Sequence, residues 1–278
     1  MITVDWGLSS FRAWAHAEDG TIVGRVAEPA GCAGLSREAF APTLARLLAP
    51  LPKATVAMCG MVGSRQGWVE APYVPCPAGL DEVAARLIQV ADGIWLAPGL
   101  CCDGVQPDVM RGEECQILGS GIVDGVLCLP GTHSKWARIE GGKVRRFATF
   151  LTGEFYALLR RHSILAHSTA AERDDAAAFA AGVRRSRDEG GLSHHLFGVR
   201  TLDLFGRPSG AAYLSGLLIG AEIVGASNLF PSARVTLIGA PALAARYARA
   251  LGDSRADILG EDMAARGLWA IWRRRIQA

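Results

Sequence analysis

An α/β architecture in two halves is predicted by three observations. Strand-spaced apolar runs alternate with amphipathic helical stretches, the strand–glycine–strand pattern of the N-terminus restarts near residue 126, and 278 residues at 50% hydrophobic composition supply two buried cores. That apolar content excludes disorder as the dominant state. With 29 basic and 27 acidic residues the formal charge is +2, too weak a field to hold a polyanion by counterion release, so no nucleic acid is expected as a partner. Charges, prolines or glycines interrupt every apolar stretch before about 18 residues, the length a membrane helix needs. The chain opens on Met1-Ile2-Thr3-Val4 without the basic and apolar regions of an export signal. The expectation is a soluble, cytoplasmic protein with no membrane partner. Seven cysteines (Cys32, Cys59, Cys76, Cys101, Cys102, Cys115, Cys128) show neither zinc-knuckle nor Cys-x-x-Cys spacing and read as reduced small hydrophobes.

Ile2 to Val4 and Phe11 to Ala17 carry strand spacing, and Asp19-Gly20 offers the positive-φ turn that returns Thr21 to Val26 antiparallel. Ser36 to Leu48 reads as a helix, Thr55 to Cys59 as a buried strand followed by a Gly-rich turn, and about Asp81 to Ala91 as an amphipathic helix. Pro98 to Pro107, without helical period, reads as the connection, which divides the chain into domains 1–107 and 108–278. Beyond it, Val126 to Leu129 is a buried strand, Gly131-Thr132-His133-Ser134 a polar turn, Trp136 to Ile139 a strand and Gly141-Gly142 a hairpin turn. An offset of 124 residues places Gly7 on Gly131 and Ser10 on Ser134, a candidate internal duplication. Both glycines fall at the tip between a first and second strand, where two facing tips would pinch a phosphate chain between backbone N–H groups. Ser168 to His195, Ala-rich and charged, reads as a solvated helix and loop. Ser209 to Phe230 reads as an apolar helix with Gly216 and Gly220 on one face, open to another backbone or a flat ring. Val235 to Ile238 is a buried strand ending in Gly239-Ala240-Pro241. Helices through Ala250 and from Glu261 to Arg274 complete the chain, the last ending in arginines that suit its C-terminal dipole.

Asp5-Trp6-Gly7-Leu8-Ser9-Ser10-Phe11-Arg12 joins a carboxylate at a strand end to a glycine, two hydroxyls and a guanidinium on one tight turn. This is equipment for Mg-triphosphate, with Asp5 for the hydrated metal, Gly7, Ser9 and Ser10 for phosphate oxygens and Arg12 for residual charge. It is equally the make-up of a capped turn with a surface arginine. No Gly-x-x-x-x-Gly-Lys-[Ser/Thr] occurs, and Gly119-x-Gly121 lacks the strand-to-helix setting of a dinucleotide fingerprint.

Asp5-x-Gly7 with Ser9-Ser10 and Arg12-Ala13, Gly131-Thr132, and Gly239-Ala240 after a late strand resemble the first phosphate, second phosphate and adenosine motifs of the sugar kinase, heat-shock chaperone and actin superfamily. Longer strings narrow the resemblance. They are Gly60 to Trp68 with Ala71-Pro72-Tyr73, Val109 to Glu114, Pro130 to Trp136, Thr152-Gly153-Glu154, His162-Ser163 and Leu214 to Glu222. Together they resemble the 2-dehydro-3-deoxygalactonokinase family from Asp5 to about Tyr247. The resemblance implies two ribonuclease H-like domains with mixed sheets and an interdomain cleft, and ATP with Mg²⁺ as cofactors. It implies transfer of the γ-phosphate to the 6-hydroxyl of 2-dehydro-3-deoxy-D-galactonate in galactonate catabolism. The chain departs from the superfamily pattern at Leu8, where Ser or Thr is usual, at Leu129-Pro130, where many members carry an Asp, and at Gly239-Ala240 in place of Gly-Gly.

The base is assigned by analogy with distant members of that superfamily. Glycerol and pentulose kinases carry a Gly-Asp-Gln-Gln string whose Asp takes the hydroxyl proton, and here Gly112-Glu113-Glu114 lies 18 residues before Gly131. Glu113 is therefore the expected base, with Glu114 and Glu154 as alternatives and His133 and His162 behind them. A sugar acid calls for a positive fork and hydroxyl donors. Ser64, Arg65, Trp68 and Tyr73 on the Gly-rich segment are the expected substrate contacts, although Arg65 also reads as a solvated loop cation and Trp68 as core. Arg111 and Lys135 could balance either the substrate or the γ-phosphate; Arg111 is placed with the substrate, and Lys135 with Gly131, Thr132, Gly239 and Ala240 on the ATP side. The alternatives are a kinase for another keto-sugar or sugar acid and a non-catalytic ATP switch, which would have no need of Glu113. The oligomeric state stays open, a homodimer among the options.

Overall fold

The computed structural model describes residues 1–171, 174–207, 209–260 and 262–277. Its elements, in chain order, begin with β1 (Ile2–Trp6), β2 (Phe11–His16), β3 (Ile22–Glu28), α1 (Arg37–Leu48) and β4 (Val56–Cys59). A 3-10 turn at Met61–Gly63 leads to β5 (Tyr73–Pro75), α2 (Leu80–Ala84), β6 (Ile88–Ala91), β7 (Ile94–Leu96), β8 (Gly99–Cys102), β9 (Asp108–Met110) and α3 (Glu113–Gly119). The chain continues through β10 (Gly125–Leu129), β11 (Ser134–Glu140), β12 (Lys143–Phe150), α4 (Thr152–His162), α5 (Ala176–Arg185), α6 (Gly191–Leu204) and α7 (Gly210–Leu229). It ends with β13 (Val235–Ile238), α8 (Pro241–Leu251), β14 (Ala256–Leu259) and α9 (Met263–Gln277). The expected start of the last helix at Glu261 lies outside the described residues.

Two contact units emerge. The first comprises Met1–Asp124, Arg138–Phe147 and Gly260–Ala278, the second Gly125–Ala137 and Ala148–Leu259. The division expected after residue 107 differs from this one, because the first unit runs on through α3 and takes back the C-terminal helix. Glycine-to-backbone packing explains the return of α9. A Cβ on Gly267 would stand 1.8 Å from the Cys115 carbonyl oxygen, and one on Gly119 would stand 2.0 Å from that of Met263.

In the first unit the main sheet has the order β3-β2-β1-β4-β7-β6. The N-terminal hairpin pairs antiparallel, Val4 opposite Ala13 and Asp5 opposite Arg12, while β4 lies parallel to β1 with Asp5 opposite Cys59. Alternation sends Ile2, Val4 and Trp6 into a core with Phe11, Phe40, Leu44 and Met58. Among the described residues a five-stranded sheet follows the order β12-β11-β10-β13-β14, with β10 parallel to β13. Both sheets thus place a hairpin of three strands beside a parallel fourth, the ribonuclease H-like arrangement expected from the resemblance. It is also the structural form of the offset that aligned Gly7 with Gly131.

Three local expectations change. The helix read over Asp81 to Ala91 ends at Ala84, and Ile88–Ala91 instead pairs antiparallel with β7 across Asp92-Gly93, where Gly93 has φ +67°. Part of the presumed connection is a strand, β8, which joins β5 and β9 in a small third sheet. The segment read as a solvated helix contains α5, whose Ala178, Phe179, Gly182 and Val183 are buried. Residues 172 and 173 of that segment lie outside the described residues. Helix α5 packs backbone to backbone on α7, since a Cβ on Gly216 would fall 2.1 Å from the Phe179 carbonyl oxygen. The open glycine face of α7 is therefore filled by a helix rather than a ring. Helix α7 is long and apolar enough to cross a membrane by length and composition. It is instead the central core helix of the second unit, with Leu214 and Leu217 fully buried.

Candidate active site

The first unit gathers its candidate residues at the ends of β1 and β4. Strand pairing sets Arg12 across from Asp5, and the guanidinium donates to the Asp5 carboxylate at 2.6 Å. The turn beyond Asp5 is closed by the Gly7 N–H donating to the Ser10 carbonyl at 2.9 Å and leaves Leu8, Ser9 and Ser10 exposed. Its outer side is buttressed by Gly31, where a Cβ would lie 1.9 Å from the Leu8 carbonyl oxygen. Behind Asp5, Gly60 turns the chain out of β4 with φ +97°, and a Cβ there would meet the Trp6 carbonyl oxygen at 2.7 Å and Asp5 Oδ1 at 3.1 Å. Gly112, φ +107°, in turn faces the Gly60 Cα at 3.1 Å by the same measure. These glycine contacts bring Asp5, the Gly60 turn and the start of α3 side by side.

Glu113 and Glu114 open α3 but differ in setting. Glu113 is half-buried, and its Oε2 accepts the Arg111 backbone N–H at 3.1 Å. Glu114 is wholly buried and accepts the Gly112 N–H at 2.7 Å and the Cys115 thiol at 3.4 Å. Burial, reinforced by the Glu113 charge, pushes Glu114 up to about 8, so at neutral pH it holds its proton. Because the folded state keeps that proton and the unfolded chain releases it, wild-type stability should fall as pH rises from about 4.5 to about 8. Glu114→Gln, an isostere of the protonated acid, should flatten that decline while keeping activity. Thermal melts at a series of pH values check this, and a decline equally steep in the variant would contradict it.

Arg111 is 9% exposed, with its guanidinium 4.3 Å above the Tyr73 ring and Nη2 donating to the Ala71 carbonyl at 2.8 Å. Its Nε and Nη1 are buried without a hydrogen-bond partner among the described residues. Ser64 is buried in the turn after Gly63, whereas Arg65 is 80% exposed and reaches Glu70 only at 3.4 Å. Trp68 stacks on Phe40 at 6.0 Å and packs on the first core, so packing accounts for much of its surface. Among the expected sugar-acid contacts, Arg111 and Tyr73 are the ones the fold locks together.

In the second unit, Gly131-Thr132 forms the turn between β10 and β11, and α4 starts against it. Glu154 N–H donates to the Thr132 carbonyl at 3.0 Å, and Gly153 is required because a Cβ would stand 2.4 Å from the Gly131 carbonyl oxygen. Glu154 itself meets His133 Nε2 at 2.5 Å, which commits both alternative proton carriers to each other. Lys135 is buried, and Gly239 approaches the Pro130 carbonyl, a Cβ there lying 3.3 Å from its oxygen. Below the turn, Glu222 Oε1 accepts from Trp136 Nε1 and Oε2 from the Tyr247 hydroxyl, both at 2.7 Å, while Ser134 Oγ lies 3.0 Å from that hydroxyl. Burial pushes Glu222 up, and this network pins the second turn to α7 and α8. A cavity of about 210 Å³ beside Gly131 is lined by Gly153, Tyr156, Leu218, Leu243 and Arg246. Its lining is largely apolar, with Arg246 the one charged side chain among the residues around it. Tyr156, Arg246 and Tyr247 line this cavity and Glu222 holds the network below it, and none of the four was among the expected site residues. The one signal was an acid, Glu222, standing alone in an apolar helix.

The model of the family described as 2-keto-3-deoxy-galactonokinase matches residues 5–271. A probable 2-dehydro-3-deoxygalactonokinase of Rhizobium meliloti strain 1021 is 38% identical, covering 96% of this chain and 97% of that protein. The 2-dehydro-3-deoxygalactonokinase of Escherichia coli K12 is 35% identical, covering 92% of this chain and 91% of its own. A crystal structure from Sinorhizobium meliloti described under the same activity superposes with a TM-score of 0.88 at 39% identity, covering 98% of both chains.

Proposed function

Because the chain belongs to the 2-keto-3-deoxy-galactonokinase family and is an ATP-dependent sugar-acid kinase of galactonate catabolism, we propose how its residues divide that work. The acceptor is the 6-hydroxyl of 2-dehydro-3-deoxy-D-galactonate, and Glu113 takes its proton as the bond to the γ-phosphorus forms. The observation that carries this reading is the contact of Gly112 with Gly60 and of Gly60 with Asp5, which sets a half-buried carboxylate at a helix start beside the first phosphate turn. Gly7, Ser9, Ser10 and Arg12 serve the phosphates there. Gly131, Thr132 and Lys135 serve them from the second turn, and Gly239-Ala240 and the neighbouring cavity receive the adenosine. Ser64, Arg65, Trp68, Tyr73 and Arg111 form the sugar-acid side, Trp68 contributing chiefly through its packing on Phe40. The protein works in the cytoplasm on small molecules.

Mg²⁺ fits the donor set. Among the described residues no group of three metal-ligating side chains occurs, but Mg²⁺ on a nucleotide needs only one or two carboxylates beside phosphate oxygens and water. Asp5, 12% exposed and oriented by Arg12, is that carboxylate, and the bound ion would neutralise charge on the transferring phosphoryl group. Asp5→Asn should therefore raise the Mg²⁺ concentration needed for half-maximal rate. Magnesium titrations at saturating ATP check this, and an unchanged requirement at full activity would remove Asp5 from the site.

A coupled ADP-release assay over a panel of keto-sugar acids tests the whole reading. Turnover with 2-dehydro-3-deoxy-D-galactonate should exceed the basal rate by orders of magnitude and exceed turnover with the other acids. Stimulation by another keto-sugar acid alone would replace the substrate, and no stimulation by any would leave an ATP switch.

A further inference from the structure

The third sheet holds a cluster of thiols that the phosphoryl-transfer reaction does not use. Strands β5 and β8 run parallel with Tyr73 opposite Gly99 and Pro75 opposite Cys101. The Cys76 N–H extends that ladder by donating to the Cys101 carbonyl at 2.8 Å. The same register sets Cys76 against Cys102, and adjacent strands lie about 4.8 Å apart, within the span a disulfide bridges. Each thiol is the largest influence on the other's pKa. Both are partly exposed, as is Cys101, whereas Cys32, Cys59, Cys115 and Cys128 are buried.

Reactivity divides in the same way. The hydrogen bond from Cys76, helped by the Phe147 backbone N–H and the Arg146 charge, lowers Cys102 to about 7 against the opposing effects of burial and Asp108. Its partner Cys76 is raised chiefly by that same bond, and burial raises Cys101. Cys102 is thus the nucleophile of the cluster and Cys76 the thiol placed to resolve it. Cys102 also pairs with Asp108 at the start of β9, whose chain runs directly into Arg111 and Glu113.

We propose that Cys76 and Cys102 are an oxidation site at which a hydroperoxide converts two thiols into a reversible disulfide. The Cys102 thiolate attacks the peroxide oxygen, the O–O bond breaks, and the departing hydroxide or alkoxide takes a proton to leave as water or alcohol. Cys102 becomes a sulfenic acid. The Cys76 sulfur then attacks the Cys102 sulfur, the S–O bond breaks, and hydroxide leaves as water with the Cys76 proton. Two thiols are oxidised, one peroxide is reduced, and a dithiol reverses the change by exchange.

The test treats the full-length enzyme with one equivalent of hydrogen peroxide, blocks remaining thiols with iodoacetamide and maps non-reduced peptides by mass spectrometry. A Cys76–Cys102 cross-link should be the dominant product and should disappear with dithiothreitol. Dominant oxidation elsewhere, or a cross-link through Cys101, overturns the assignment. In Cys76→Ala the rate at which Cys102 is alkylated at pH 7 should fall about tenfold, because its thiolate loses the hydrogen bond that favours it. An unchanged rate would show that Cys76 does not activate Cys102, against the proposal.

Discussion

Glu113→Gln is expected to lower kcat by roughly 10² to 10⁴, the usual worth of a positioned general base, while leaving the fold and ATP affinity intact. Gln can still accept the Arg111 backbone N–H that Glu113 Oε2 accepts at 3.1 Å, so the start of α3 keeps its geometry. What Gln cannot do is take a proton from a primary hydroxyl. A loose transition state demands little proton removal until late, which favours the lower end of the range. The two neighbouring candidates serve as controls. Glu114 is buried and protonated at neutral pH, so Glu114→Gln should stay near wild type in kcat. Glu154 is paired with His133 at the second turn, so Glu154→Gln should act through nucleotide binding. Steady-state kinetics with ATP-binding measurements on the three variants decide between them. A near-normal Glu113→Gln beside a collapse of either control with ATP bound normally would reassign the base.

What local sequence shows and what it hides follows from the range of the interactions. Asp19-Gly20 announced its hairpin because the turn needs a positive φ, and the repeated glycine tips at Gly7 and Gly131 marked the same topology in two sheets. Asp92-Gly93 carries the same signal, yet the helical period of the preceding residues outweighed it and β6 was missed. Long-range contacts leave no period at all. Nothing near Gly267 foretells the Cys115 carbonyl, and nothing near Glu222 foretells Trp136 and Tyr247. The cysteines were judged by their spacing along the chain, which is blind to a parallel strand pair that brings Cys76 beside the end of β8. Candidate residues on turns were legible because turn chemistry is local. Their burial was not, and burial separates Glu113 from Glu114 and Arg111 from Arg65.

That separation carries the last prediction, that Arg111→Met keeps or improves stability yet raises the KM for the sugar acid on the order of tenfold to a hundredfold. A guanidinium at 9% exposure with Nε and Nη1 unpaired is an expensive object in a protein interior. Each buried donor left without an acceptor costs about 1 to 3 kcal/mol. Against this stand one charged hydrogen bond to the Ala71 carbonyl, worth about 1.5 to 3 kcal/mol, and the stacking on Tyr73, worth about 0.5 to 2 kcal/mol. Folding alone gives little reason to keep the charge, and Met fills similar space without it. A carboxylate-bearing substrate does give a reason, because a buried guanidinium with two donors unpaired among the described residues offers an anion charge-assisted hydrogen bonds. The effect should fall on the sugar acid and spare the KM for ATP. Arg65→Ala is the comparison. That side chain is 80% exposed and loosely paired to Glu70, where solvent screens its charge, so its effect should be smaller. Thermal melts and kinetics with both substrates varied provide the check. A strongly destabilised Arg111→Met with normal KM values would make Arg111 a structural residue, and a larger KM effect from Arg65→Ala would return the carboxylate contact to the exposed loop.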